Sequence, residues 1–128
     1  MNARIKTADQ ATGIWHLRLS WPPRALWQNH RRHWRDRHRA TKAYRTEAWG
    51  AALEAAVPKI PDATIEFTFH PPDNIRRDIQ NMPATMKAAI DGIADAMRCD
   101  DKGFRPVFPS SFGPVTKGGC VCIRIKEV

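Results

Sequence analysis

Residues 14–20 (IWHLRLS) bring Ile14, His16, Leu17 and Leu19 into an extended pattern that stops at Trp21-Pro22-Pro23, where proline removes backbone donors. The pattern predicts a strand closed by a turn. Residues 24–42 (RALWQNHRRHWRDRHRATK) follow neither a helical nor a strand period and predict a long basic loop. From Thr41 the spacing changes: Tyr44, Ala48, Ala51, Ala52 and Ala55 share one helical face, with Thr41 as the expected N-cap and Pro58 just past the end.

Residues 64–70 (TIEFTFH) alternate Ile65, Phe67 and Phe69 with Thr64, Glu66 and Thr68, the period of a half-buried strand ending at Pro71-Pro72. A polar loop, Asp73 to Gln80, leads to a helix expected from about Pro83 to Met97, since proline suits a first turn where its missing N–H has no partner to lose. Met86, Ala89, Ile90, Ile93 and Met97 form its apolar stripe, and Lys87, Asp91 and Asp95 stack on another side. Phe104 to Phe112 carries two prolines and admits only an irregular or edge strand. Gly118-Gly119 then precedes a last strand, Cys120 to Val128, with Val121, Ile123 and Ile125 on one side. Two strands and two helices in alternation plus a C-terminal strand fit one domain over residues 1–128.

Composition narrows the partners. The formal net charge is +8 and the pI about 10.0, which makes a polyanion the first partner to consider. Cys99, Cys120 and Cys122 are an odd number with no CxxC pair, so neither a disulfide framework nor a cysteine zinc site is indicated and a reducing cytoplasm fits best. No stretch approaches the roughly 18 consecutive apolar residues of a membrane span, and no signal peptide is expected.

Two constellations carry chemistry. Asp78, Asp91, Asp100 and Asp101 gather around the second helix, and oxygen ligands of this kind suit Mg²⁺, which takes one or two carboxylates and keeps other positions for water and phosphate. They would meet if the strand before Asp78 pairs beside the segment after Asp101, both loops then opening at one end of the sheet. Each also has a local explanation: Asp78 at a helix start, Asp91 paired with Lys87, Asp100-Asp101 capping a turn. The second constellation runs from His30 to Arg45, where Arg31, Arg32, Arg35, Arg37, Arg39, Lys42 and Arg45 face the single acid Asp36, with Trp34 and Tyr44 among them and Trp27 just before. Arginines for phosphate and rings for bases are what a nucleic-acid groove needs; a solvated basic face is the plainer account. Arg76 and Arg77 add phosphate-binding groups beside Asp78. His30, His33 and His38 sit in an arginine run without cysteine partners and are not expected to bind metal.

In order along the chain, Leu19-Ser20-Trp21-Pro22-Pro23, Ala43-Tyr44-Arg45, Pro72-Asp73, Arg76-Arg77-Asp78, Asn81, Lys87-Ala88-Ala89 with Asp91, Asp100-Asp101 and Pro114-Val115-Thr116-Lys117-Gly118-Gly119 resemble the RusA-type Holliday-junction resolvases. These are small homodimeric Mg²⁺-dependent endonucleases, common in prophages. The resemblance implies an α+β fold, a small mixed β-sheet packed with two main helices, and a homodimer. It also implies a cytoplasmic bacterial enzyme that resolves four-way DNA junctions by paired symmetric hydrolysis, in recombination and repair.

Carried over, Asp78 and Asp101 match catalytic aspartates, Lys87 a lysine required for activity and Asp91 an accompanying helix aspartate; Mg²⁺, or Mn²⁺ in its place, is the implied cofactor. The implied metal ligands are Asp78, Asp91, Asp100 and Asp101, and Arg31, Arg32, Arg35, Arg37, Arg39, Arg76, Arg77 and Lys117 are the expected DNA contacts. Two departures stand out: Gln80 replaces the second carboxylate of an Asp-x-Asp-Asn pattern, and the link from Met82 to Met86 is longer than usual. A non-catalytic nucleic-acid-binding module is therefore the second expectation.

Overall fold

The structure is a computed structural model describing residues 13–27 and 33–128. Four strands, β1 (Ile14–Ser20), β2 (Ala63–His70), β3 (Arg105–Val107) and β4 (Cys120–Glu127), form one mixed sheet in the order β1-β4-β2-β3. β4 runs antiparallel to both neighbours, with Leu17 opposite Ile123 on one side and Phe67 opposite Ile123 on the other. β3 pairs in parallel with β2, Thr64 opposite Arg105. Its brevity and Pro106, which has no N–H to offer, suit an edge position.

Alternation explains why these strands lie where they do. Leu17 and Leu19 of β1, Ile65, Phe67 and Phe69 of β2 and Val121, Ile123 and Ile125 of β4 all turn to one face and are buried there. In β1 the third inward residue is Trp15, while His16 faces water, so the strand bounds match expectation but His16 belongs to the outer face. Each such large apolar side chain contributes about 1.5–3 kcal/mol on burial.

Helices α1 (Trp34–Glu54), α2 (Met82–Thr85) and α3 (Lys87–Met97) complete the core. The basic stretch is not a loop throughout: residues 24–26 form a single 3-10 turn and α1 begins at Trp34, so Thr41 lies inside the helix and caps nothing. The cap is His33, whose Nδ1 accepts the Arg35 N–H at 3.1 Å. Arg37 fixes the opening turns by donating to the carbonyls of Ala25 and Trp27, at 3.2 and 2.9 Å. A narrow stripe, half-buried Ala40 and then buried Tyr44, Ala48 and Ala52, faces the core; the positions between them are free to be arginine and histidine.

The second expected helix is two. Around Met86 (φ −91°, ψ −5°) the helix tightens, the Met86 N–H reaching back only to Pro83, and the Thr85 hydroxyl donates to the Met82 carbonyl at 2.6 Å. α1 and α3 cross closely at Gly92, where a Cβ would collide with the Arg45 carbonyl oxygen and crowd Ala48. Arg98 adopts the left-handed conformation (φ 58°) that ends α3 and turns the chain.

Candidate active site and basic face

Lys87 is the first residue of α3, and its Nζ donates to Asp91 Oδ1 at 3.0 Å, one helical turn on, and to Asp101 Oδ2 at 3.2 Å. Eleven residues at about 1.5 Å each make α3 about 16 Å long, and Asp101 lies beyond its end. The chain after Met97 therefore doubles back along the helix. The strand before Asp78 does pair with the segment after Asp101, as β2 with β3, but in parallel. The loop leaving β2 and the segment entering β3 accordingly open at opposite ends of that pair, and the return of the chain after Arg98 is what delivers Asp101 to Lys87.

The ammonium group holds the Asp101 carboxyl below the usual carboxylate range, and Asp91 first and Asp101 second push the Lys87 pKa up. Lys87 remains largely exposed, its side chain at 70%. It is tethered by charge and not by packing. Lys87 and Asp91 line a hollow of about 380 Å³ together with Arg37 and Thr41 of α1, so Asp91 lies against the basic helix.

Asp78 and Asp100 are placed differently. Asp78 is exposed and accepts the Gln80 N–H at 2.9 Å, capping the single turn Ile79–Asn81. Asp100 does the same for Asp101–Gly103 by accepting the Lys102 N–H at 3.0 Å. Among the described residues no group of three or more His, Cys, Asp or Glu side chains is assembled for a metal ion. Asp91 and Asp101 are brought together by the Lys87 ammonium group, within 3.2 Å of its Nζ, and in number and kind these oxygen donors match the one or two carboxylates a magnesium ion takes. Asp95, which shares the Lys87–Asp91 spacing, turns instead to Arg45 of α1, whose Nε and Nη2 meet its two oxygens at 2.6 and 2.9 Å.

Among the expected DNA contacts, Arg35, Arg39, Arg76 and Lys117 are exposed. Arg35 lies over the Trp34 ring, 5.4 Å from its centroid, and Arg39 is 4.0 Å from Asp36. Arg37 is occupied by the carbonyls of Ala25 and Trp27, so its first task is to position the turn before the helix. Arg77 pairs with Asp73 at 2.9 Å and covers the Trp21 ring, 5.5 Å from its centroid. Arg31, Arg32 and His30 lie outside the described residues. Arg76, Arg77 and Asp78 line a further hollow with Ser110 and Ser111, of about 480 Å³. The two serines had no motif to mark them; only the fold brings them to Asp78.

No family model matches the chain. Over 93 residues it is 37% identical to an uncharacterized protein of Xylella fastidiosa, a match that covers 69% of this chain and 61% of the relative. The chain thus spans about three-fifths of that relative's length.

Among the described residues no helix is long and apolar enough to cross a membrane.

Proposed function

We propose that this chain is a structure-selective, metal-dependent DNA endonuclease that resolves four-way junctions as a homodimer, in the manner its likeness to the RusA-type resolvases implies. One observation supports the reading above the rest: Lys87, Asp91 and Asp101, three residues singled out by that likeness, meet at the Lys87 ammonium group, and Lys87 and Asp91 face the basic helix α1. Separation of 14 residues between Lys87 and Asp101 means that no local helical or turn preference explains their contact.

In this reading Asp91 and Asp101 would hold Mg²⁺, or Mn²⁺, with Asp78 and Asp100 as the further oxygens the resemblance assigns. The ion supplies an activated water and charge neutralisation at the scissile phosphate. Lys87, freed from the two carboxylates, would offer its ammonium group to a phosphate oxygen as negative charge develops there. Arg35, Arg39, Arg76 and Lys117 would hold the DNA backbone, giving binding that falls steeply with salt. Paired symmetric cuts would follow from one site on each protomer of a twofold dimer. A cytoplasmic setting in a bacterium carrying a phage or prophage belongs to the same proposal.

A second reading, a nucleic-acid-binding module without cleavage, is favoured by Gln80 in place of a carboxylate and by Asp78 being engaged with the Gln80 N–H. One experiment separates the two. A labelled four-way junction and a linear duplex of the same sequence are incubated with Mg²⁺, Mn²⁺ or EDTA. Metal-dependent symmetric nicks confined to the junction support the endonuclease, and binding without nicks under every metal supports the module.

A further inference from the structure

A recess walled by tryptophan and arginine lies outside the carboxylate cluster. Trp21, Pro22, Arg24, Trp27, Pro72, Ile75 and Arg77 enclose about 520 Å³, within the range of roughly 300–1,000 Å³ typical of small-ligand sites. We propose that this recess takes one unstacked nucleotide of single-stranded DNA, its base against Trp27 and Ile75 and its phosphate on Arg24. The proposal rests on the nucleic-acid reading above and adds to it a preference for unpaired over duplex DNA.

The walls are set before any ligand arrives. Trp27 is held at both ends, its Nε1–H donating to the Pro22 carbonyl at 3.3 Å and its own carbonyl accepting Arg37 at 2.9 Å. Its ring lies 6.1 Å from Trp21, which in turn lies 6.4 Å from Phe112. Arg77 is fixed over Trp21 by the Asp73 carboxylate and by the carbonyls of Asp73 and Ile75, at 3.3 and 3.1 Å. Gly119 lies so close to Trp21 and Pro72 that a Cβ there would press on both walls.

The chemistry of the lining selects the occupant. Ile75 leaves an aliphatic side chain 68% exposed at the rim, a surface that gains by being covered. Arg24 is exposed and its guanidinium has no partner among the described residues. A ligand with a flat apolar face and an attached negative charge satisfies both, and a nucleotide is such a ligand. Arg35, Arg39 and Lys42, all exposed on α1, provide further positive charge for the flanking phosphates. A base stacked and paired in a duplex cannot present its face to Trp27. Entry requires a strand opened at a branch point or already single.

The test measures equilibrium binding of a fluorescent short oligothymidylate and of a linear duplex in EDTA, so that cutting plays no part. Trp27→Ala should weaken oligothymidylate binding by about tenfold, the loss expected for one stacked base, and duplex binding by less than about twofold. Trp27→Phe should restore most of the loss. Ile75→Asn, at an exposed position that does not enter the core, should shift the same ratio in the same direction without changing the melting temperature. The proposal is overturned if Ile75→Asn and Trp27→Ala bind oligothymidylate as the parent protein does, or if both substrates weaken equally. Junction nicking is scored separately: a protein that nicks junctions but shows no such discrimination loses the recess and keeps the endonuclease. A protein that discriminates but nicks nothing keeps the recess and loses the endonuclease.

Discussion

Lys87 and Asp101, fourteen residues apart in the chain, meet at 3.2 Å across the exposed side of α3. The contact costs little to break because Lys87 is mostly in water, where ion pairs contribute about 0–1 kcal/mol. Lys87→Met should therefore leave the melting temperature within a few degrees of the parent. If the ammonium group serves a phosphate, the same variant should lose junction nicking by about a hundredfold or more, the scale of removing one preorganised donor to a developing charge. Calorimetry and a nicking assay on one preparation check both halves. A large melting shift would assign Lys87 to the fold instead.

Arg45 and Asp95 join α1 to α3 over 50 residues of sequence, and the Arg45 hydrogen bonds hold the Asp95 carboxyl below its ordinary value near 3.9. A carboxylate whose folded pKa is depressed stabilises the fold above its unfolded pKa, and that contribution is lost as pH falls through the folded value. Thermal melts from pH 6 downward should show a loss of stability below about pH 4. Asp95→Asn should melt lower at neutral pH and show a shallower decline with acid. An unchanged pH slope in that variant would mean the pair contributes nothing.

Gly92 faces the Arg45 carbonyl so closely that no side chain fits between the two helices. Gly92→Ala, which raises helix propensity at an open site, should here destabilise the protein by about 1–3 kcal/mol, because α1 and α3 must separate to admit the methyl. Urea denaturation of the variant against the parent measures it. A stabilised variant would show that the crossing relaxes without cost.

Gln80 stands next to the Asp78 turn, exposed, and is the neutral member where the resemblance expects a charge. Gln80→Asp should lower the Mg²⁺ concentration needed for half-maximal nicking several-fold, since each added carboxylate strengthens a hard-cation site. Titration of nicking against Mg²⁺ reads it directly. No change would place Gln80 outside the metal's reach.

The strands could be read from the sequence because each buries one face, so alternation in 14–20, 64–70 and 120–128 records their inward positions directly. Trp15 and His16 escaped that reading: an amphipathic ring and an imidazole are ambiguous until the register against β4 decides which faces in. The start of α1 was hidden for a different reason. Its first turns bury little but the edge of Ala40, and what holds them is a histidine cap together with Arg37 reaching back 10 and 12 residues, interactions without a period. In the candidate site, Lys87 with Asp91 is a one-turn helical pair and visible as such. Asp101 was named as one of four carboxylates around the second helix and again through the resemblance, yet nothing in its spacing foretells the reversal at Arg98 that carries it to Lys87. Asp95 shows the limit of spacing: it sits in line with Lys87 and Asp91, yet the crossing at Gly92 offers it an arginine from another helix.

The middle of the sheet is occupied by its last strand. β1 and β2 do not pair with each other; β4 joins them, with Ser20 and His70 both aligned on Cys120. Before residues 120–127 arrive, β1 has no ladder to enter, and the apolar faces of Leu17 and Phe67 have no Ile123 between them. Assembly of the core thus waits for residues 120–127 and proceeds through pairings of very long sequence separation, the kind that makes folding slow and cooperative. Without those eight residues β1 is cut off from the β2–β3 pair, and the apolar strand faces stay open to proteases and to other copies of the chain until the keystone strand is in place.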